Sequence, residues 1–262
     1  MRQKTIGILG GMSAASTALY YARLNAQCQA RLGGLHSASL LVRSLDFAPI
    51  EALQARGDWA AAAALLNSEA LALERGGAEL LLLATNTMHK VADEVTSGLR
   101  IPMLHIADAT AHAIREAQLE RPGLLATAYT MEQDFYTGRL RAAGLQPIIP
   151  EASDRSVVHS IIYEQLCKGI VLEASRAAYE RVATRLVERG ADCLILGGAA
   201  FSPRCKDAPP TRLVERGADC LILGCTEVGM LLGRENVDVP VFDTTAIHCD
   251  RALDLSLTST TD

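Results

Sequence analysis

The stretch Gly77–Thr85, GAELLLLAT, returns in altered form at Gly217–Cys225, GADCLILGC. Each copy starts Gly-Ala-acid, runs through four apolar or thiol residues and one small residue, and ends on a side chain that can carry a proton. A short, continuous apolar run without alternation is the pattern of a strand buried on both faces, as in a parallel α/β sheet. A second pair matches in the same way: GILGG from Gly7 and GLLAT from Gly123. Gly7 and Gly77 are 70 residues apart and Gly123 and Gly217 are 94 apart. The second spacing exceeds the first by nearly the 27 residues that separate Thr184 from Thr211, the starts of two identical fourteen-residue segments, TRLVERGADCLILG. The chain therefore reads as two similar α/β halves with an extra piece in the second.

The two identical copies differ only in their continuations. The first, Thr184–Gly197, runs on as GAAFSPRCKDAPP, and the second, Thr211–Gly224, as CTEVGMLL. Only the second delivers a thiol, Cys225, to the end of its strand. The expectation is that the second copy fills the strand position while the first is displaced or added peripherally, with SPRCKDAPP as an exposed loop because its prolines and charges continue neither helix nor sheet.

Elsewhere, apolar runs such as ASLLVRS, PMLHI, QPIIP and VPVFD alternate with segments of helical spacing, among them DWAAAAALLNSEALALERG and EASRAAYERVATRLVERG. That rhythm predicts an α/β protein with two parallel-sheet domains, residues 1–115 with 244–262 and residues 116–243. Asp46 and Asp243 follow apolar runs and are expected to cap helices.

Composition narrows the function. The 262 residues carry a formal net charge of −5 with no long basic cluster, which argues against nucleic acid and for a small-molecule partner. The N-terminal apolar run is too short for a signal peptide or a membrane span, so a cytoplasmic protein without a membrane partner is expected. The seven cysteines, at 28, 167, 193, 205, 220, 225 and 249, form no CxxC pair, which supports neither a zinc site nor a disulfide framework. GILGGMS lacks the GxGxxG spacing and no GxxxxGK[ST] loop occurs, so no cofactor or metal is called for.

The carboxyl ends of parallel strands, each leading into a helix N-terminus, are where such sheets bind anions. Thr85-Asn86-Thr87 stands at one such end and Cys225-Thr226-Glu227 at the other. Each offers hydroxyl or amide donors to a carboxylate beside one proton-carrying side chain. Two such groups facing one carbon from opposite sides suit inversion of a stereocentre. Cys225 fits the role of base, because a helix N-terminus lowers a thiol's pKa; the plainer reading is a buried strand-end thiol.

The motifs GILGGMS, ATNTMHKVAD, LHIADAT, YTMEQDFY, LILGCTEVG and VFDTTAIH, in this order, resemble the aspartate/glutamate racemase family. The resemblance implies a two-domain α/β fold related by a pseudo-twofold axis, with the site in the interdomain cleft. It also implies cofactor-independent racemisation of acidic amino acids and a homodimer. By position it puts the catalytic pair on Thr85 and Cys225 and substrate contacts on Met12, Thr127 and Thr130, beside the carboxylate donors Asn86, Thr87 and Thr226 read from the strand ends. Gln54 and Lys168 are further candidates for reaching the substrate. Most family members resemble CNT where this chain has TNT, and Thr85 in place of the cysteine matches a subset acting on L-acidic amino acids. Ala126 stands where the family usually has glycine. His89 and His248 are read as core or supporting imidazoles. The alternatives on the same fold are a decarboxylase or isomerase of small dicarboxylates, and a catalytically silent binder of acidic amino acids.

Overall fold

The computed structural model describes residues 2–168, 170–196, 221–223 and 241–257. They form two units, residues 1–106 with 248–262 and residues 107–247. The expected boundaries lay at 115/116 and 243/244; the division passes instead near the start of one helix, Ile106–Glu116, and through another, Thr244–Leu257.

The first unit is built on β1 (Ile6–Gly10), β2 (Leu40–Ser44), β3 (Leu80–Leu83) and β4 (Met103–Leu104), all parallel in the order β2-β1-β3-β4. The Leu80–Leu83 run has no polar position because both faces are covered. Leu81 and Leu83 pack with Leu9, Ala62, Leu66 and Leu73 on the side of α3 (Trp59–Arg75). Leu80 and Leu82 pack with Tyr20 and Leu24 of α1 (Ala14–Leu32) and with Cys249, Ala252 and Leu253 of the C-terminal helix. Each fully buried leucine contributes roughly 1.5–3 kcal/mol of transfer free energy, which outweighs the modest strand propensity of leucine. The helices start where the sequence supplies caps: Asp46 accepts the Ala48 N–H ahead of α2 (Phe47–Ala55), and Asp58 accepts the Ala61 N–H ahead of α3.

The chain continues through α4 (Ala92–Val95) and α5 (Ile106–Glu116) into the second unit. Its strands are β5 (Pro122–Leu125), β6 (Cys193–Leu196), β7 (Leu221–Leu223) and β8 (Val241–Asp243), parallel in the order β5-β6-β7-β8. The QPIIP run, expected as a strand, contributes a single bridge from Ile148 to Gly123. Between β5 and β6 lie α6 (Ala128–Glu132), α7 (Asp134–Ala142), α8 (Ala152–Glu164) and α9 (Glu173–Glu188), the last packed on both of those strands. Asp243 accepts the N–H groups of Thr245 and Ala246 at the start of α10 (Thr244–Leu257), the cap expected of it.

This order corrects the expectation about the duplication. Neither copy is displaced: β6 belongs to the first and β7 to the second, side by side within one sheet. In the first unit β3 pairs with both β1 and β4. In the second unit that role is divided, with β6 paired to β5 and β7 paired to β8. The physical reason is that two identical apolar strands have the same preference for a doubly covered parallel position, and a sheet interior accepts one more strand by parting along a single ladder. The SPRCKDAPP segment lies outside the described residues.

Candidate active site

At the end of β1 the chain turns through Gly10, Gly11, Met12 and Ser13 into α1. Gly11 has φ +91°, and a Cβ there would overlap the Leu45 carbonyl oxygen and amide nitrogen, so this position requires glycine. Hydroxyls hold the turn: Gly11 N–H donates to Thr17 Oγ1 at 2.7 Å, Thr17 Oγ1 donates to the Ser13 carbonyl at 3.0 Å, and Ser13 Oγ accepts the Ser16 N–H at 3.2 Å. Met12 is thereby held in the buried cluster that contains Ile50 and Met88. Gln54, on α2, is also buried and directs Nε2 at the Met88 sulfur, 2.9 Å away.

The adjacent strand β3 ends in the segment Ala84-Thr85-Asn86, followed by a 3₁₀ turn at Thr87–Val91. Thr85, Asn86 and Thr87 are 6%, 7% and 6% exposed, so three polar residues sit in the interior at a strand's carboxyl end. Among the described residues, neither the amide oxygen nor the amide nitrogen of Asn86 has a hydrogen-bond partner. A desolvated polar group left in that state costs about 1–3 kcal/mol, which a ligand offering both a donor and an acceptor would recover.

Three imidazoles lie behind this segment. His89 places Nδ1 2.7 Å from the Thr85 carbonyl and accepts the Ile106 N–H at Nε2, 3.3 Å away. His248 places Nε2 2.9 Å from the Leu104 carbonyl and Nδ1 2.7 Å from the Tyr20 hydroxyl. A carbonyl can only accept, so the proton is on Nδ1 in His89 and on Nε2 in His248, and Tyr20 donates to His248. The His105 ring stands 4.4 Å from that of His89, centroid to centroid, and the His248 ring 6.0 Å from it. Burial holds His89 well below its ordinary pKa, and His105 and His248 add to the effect; burial likewise lowers His248 to about 4. Both are neutral at physiological pH. Among the described residues no group of three or more His, Cys, Asp or Glu is arranged to hold a metal.

In the second unit, β5 leads through Ala126 to Thr127, the N-cap of α6. Thr127 and Thr130 are buried, and their hydroxyls meet at 3.1 Å. Lys168 is exposed and forms an ion pair with Glu164 at 2.7 Å. Cys225 and Thr226 lie outside the described residues.

Sequence reading missed several supports. Ser16 donates to the Ala84 carbonyl at 3.0 Å and Thr17 braces the glycine turn, yet both look like ordinary polar positions of a helix. His105 gave no motif of its own. Thr244 and Thr245 are fully buried and their hydroxyls have no partner among the described residues, a feature that a strand followed by Asp-Thr-Thr only hints at.

Comparison with known proteins agrees with this fold. The family model described as Asp/Glu/hydantoin racemase matches residues 9–211. The crystal structure of a candidate Asp/Glu racemase from Yersinia pestis is 44% identical, with a TM-score of 0.80, over 97% of this chain and 100% of that one. An aspartate racemase homologue from Pyrococcus horikoshii is 29% identical, with a TM-score of 0.71, over 97% and 100%. An uncharacterized protein of the pnlA 3′ region of Pectobacterium carotovorum is 31% identical over 98 residues, which span 37% of this chain and 64% of that protein, less than two thirds of its length.

Proposed function

We propose, from the premise that the chain belongs to the Asp/Glu/hydantoin racemase family, that it racemises an acidic amino acid without a cofactor, with Cys225 and Thr85 as the two proton-transfer groups. The observation that carries the reading is the buried amide of Asn86 next to Thr85, which has no partner among the described residues. Its two polar atoms suit a substrate that bears both carboxylate oxygens and an ammonium group. Met12, Gln54 and Thr87 from the first unit, and Thr127, Thr130, Lys168 and Thr226 from the second, complete the proposed substrate contacts. For Lys168 this means exchanging its ion pair with Glu164 for a substrate carboxylate.

The Cys225 thiolate removes the α-proton, the Cα–H electron pair moves into the substrate carboxylate, and it returns to Cα as the Thr85 hydroxyl delivers a proton to the opposite face. Water then carries the Cys225 thiol proton to the threonine alkoxide, which restores both groups. A helix N-terminus at Cys225, as the sequence predicts, favours the thiolate. An alcohol is a far weaker acid than a thiol, so Thr85 donates or relays a proton but is a poor base. The two directions are therefore unequal, and the reading assigns L-aspartate or L-glutamate as the faster substrate. The protein is proposed to work in the cytoplasm as a homodimer.

Incubation with each enantiomer of aspartate and glutamate in D₂O tests the reading. Exchange of the α-hydrogen with an unchanged carbon skeleton supports it. Loss of a carboxyl carbon marks a decarboxylase, and thermal stabilisation by the amino acid without exchange marks a silent binder.

A further inference from the structure

We infer that His89 is a positioning residue for Thr85 and Asn86: it donates Nδ1–H to the Thr85 carbonyl while its Nε2 is held by the Ile106 N–H, so that the peptide joining the two residues has one orientation. The inference rests on the racemase reading for the importance of Thr85, and on geometry for the rest.

The Thr85 carbonyl belongs to the peptide between Thr85 and Asn86. A rotation of that plane would swing the hydroxyl on one side and the amide on the other. The Leu83–Ala84 peptide is fixed by its Ala84 N–H, donated to the Leu9 carbonyl, and the Ala84–Thr85 peptide by Ser16 Oγ, donated to the Ala84 carbonyl. The Thr85 N–H turns back to the Leu83 carbonyl at 2.9 Å. His89 supplies the next fixed point along the chain. It is itself immobilised, being fully buried, in contact with the His105 ring and tied at Nε2 to the first residue of α5. Its own N–H closes the turn by donating to the Asn86 carbonyl at 3.2 Å. The imidazole thus braces the segment from behind without touching substrate, and an alignment error of about 1 Å at a reacting group costs on the order of 100-fold in rate.

The two ring nitrogens can be tested separately. Asparagine carries an N–H where Nδ1 stands, whereas glutamine reaches towards the position of Nε2 and phenylalanine keeps only the ring volume. His89→Asn is expected to keep kcat within about 3-fold, and His89→Gln and His89→Phe to lower it by about 10- to 100-fold with KM changed less than about 3-fold. A second readout needs no activity: in ¹⁵N-labelled protein the Asn86 amide, on the same peptide as the Thr85 carbonyl, is expected to shift and to exchange faster in His89→Gln than in His89→Asn. If the three variants lose activity only in step with their folded fraction, or if the Asn86 amide responds alike in all of them, the inference is overturned. A wild type that exchanges no α-hydrogen defeats the racemase reading, and the amide measurement then decides the positioning role by itself.

Discussion

Leu194 lies directly opposite Leu221 in the second sheet, and Ile195 opposite Ile222. Leu194 and Leu221 are the same position of the two identical segments, so the repeat is paired with itself in parallel and in perfect register. Each paired position of one segment thus stands beside the same position of the other. The inserted strand parts the ladder that its counterpart β3 makes with β4 in the first unit.

Deletion of Gly198–Gly224 tests this arrangement. It joins Gly197 to Cys225, leaves one uninterrupted copy, and lets β6 pair with β8 as β3 pairs with β4. The shortened protein is expected to fold, with a sheet in the order β5-β6-β8, and to keep or raise the rate of α-hydrogen exchange. A crystal structure and the D₂O assay check it; a shortened chain that fails to fold would mean that the second strand has become necessary to the sheet.

Substitution of single cysteines separates the working thiol from the structural ones. Cys225→Ser is expected to abolish exchange, because a serine hydroxyl does not supply a low-pKa anion. Cys28 and Cys249 are fully buried in the same apolar cluster as Tyr20 and Leu24. Their serine variants are expected to lose about 1–3 kcal/mol of stability through the buried hydroxyl while keeping kcat per folded molecule. Urea unfolding paired with initial rates reads both effects, and near-normal turnover by Cys225→Ser would remove the thiolate mechanism.

How much of this was legible in sequence varies with the kind of interaction. The doubly buried strands were readable because Leu80–Leu83 has no polar interruption, and the caps at Asp46 and Asp243 because a carboxylate ahead of a helix has one common use. Thr85 was singled out by the internal repeat, and Asn86 by its place just past the end of that strand. The brace behind them was not, because His89 meets Ile106, and His248 meets Tyr20, across long sequence separations that leave no periodic trace. The fate of the duplicated strand is not legible in the same way, because nothing in two identical segments tells that β5 and β8 provide ladder partners for both of them.

The buried imidazoles give a pH dependence of stability with a definite sign. His248 has a folded pKa of about 4, below the ordinary value of 6.5, so between these values the unfolded chain takes up a proton that the folded one refuses. Its contribution is complete above pH 6.5 and is lost as pH falls towards 4. At about 1.4 kcal/mol per unit, the window is worth on the order of 3 kcal/mol, and His89 acts in the same direction. Urea unfolding at pH 7.5, 6 and 5 is expected to show stability falling throughout. The Tyr20→Phe/His248→Leu double variant, which removes the titrating ring together with its donor, should have a shallower slope. Equal slopes would place the titration elsewhere.

The last prediction concerns the asymmetry between Thr85 and Cys225. If only the cysteine is a competent base, the enantiomer whose α-hydrogen faces Thr85 should turn over slowly, because an alcohol is almost never ionised at neutral pH. Wild-type initial rates under saturating substrate are therefore expected to be unequal, with the L-enantiomer faster. Equilibrium fixes only the ratio of the two kcat/KM values, since the enantiomers are equal in free energy, so the inequality must appear in kcat and be matched in KM. Thr85→Cys supplies a thiol of ordinary pKa about 8.5 at the same strand end, and it is expected to raise the slower kcat more than the faster one. The substitution is nearly isosteric at a buried position, so a folding defect is not expected to obscure the result. Equal saturating rates for the two enantiomers in the wild type would show that Thr85 already serves as an effective base.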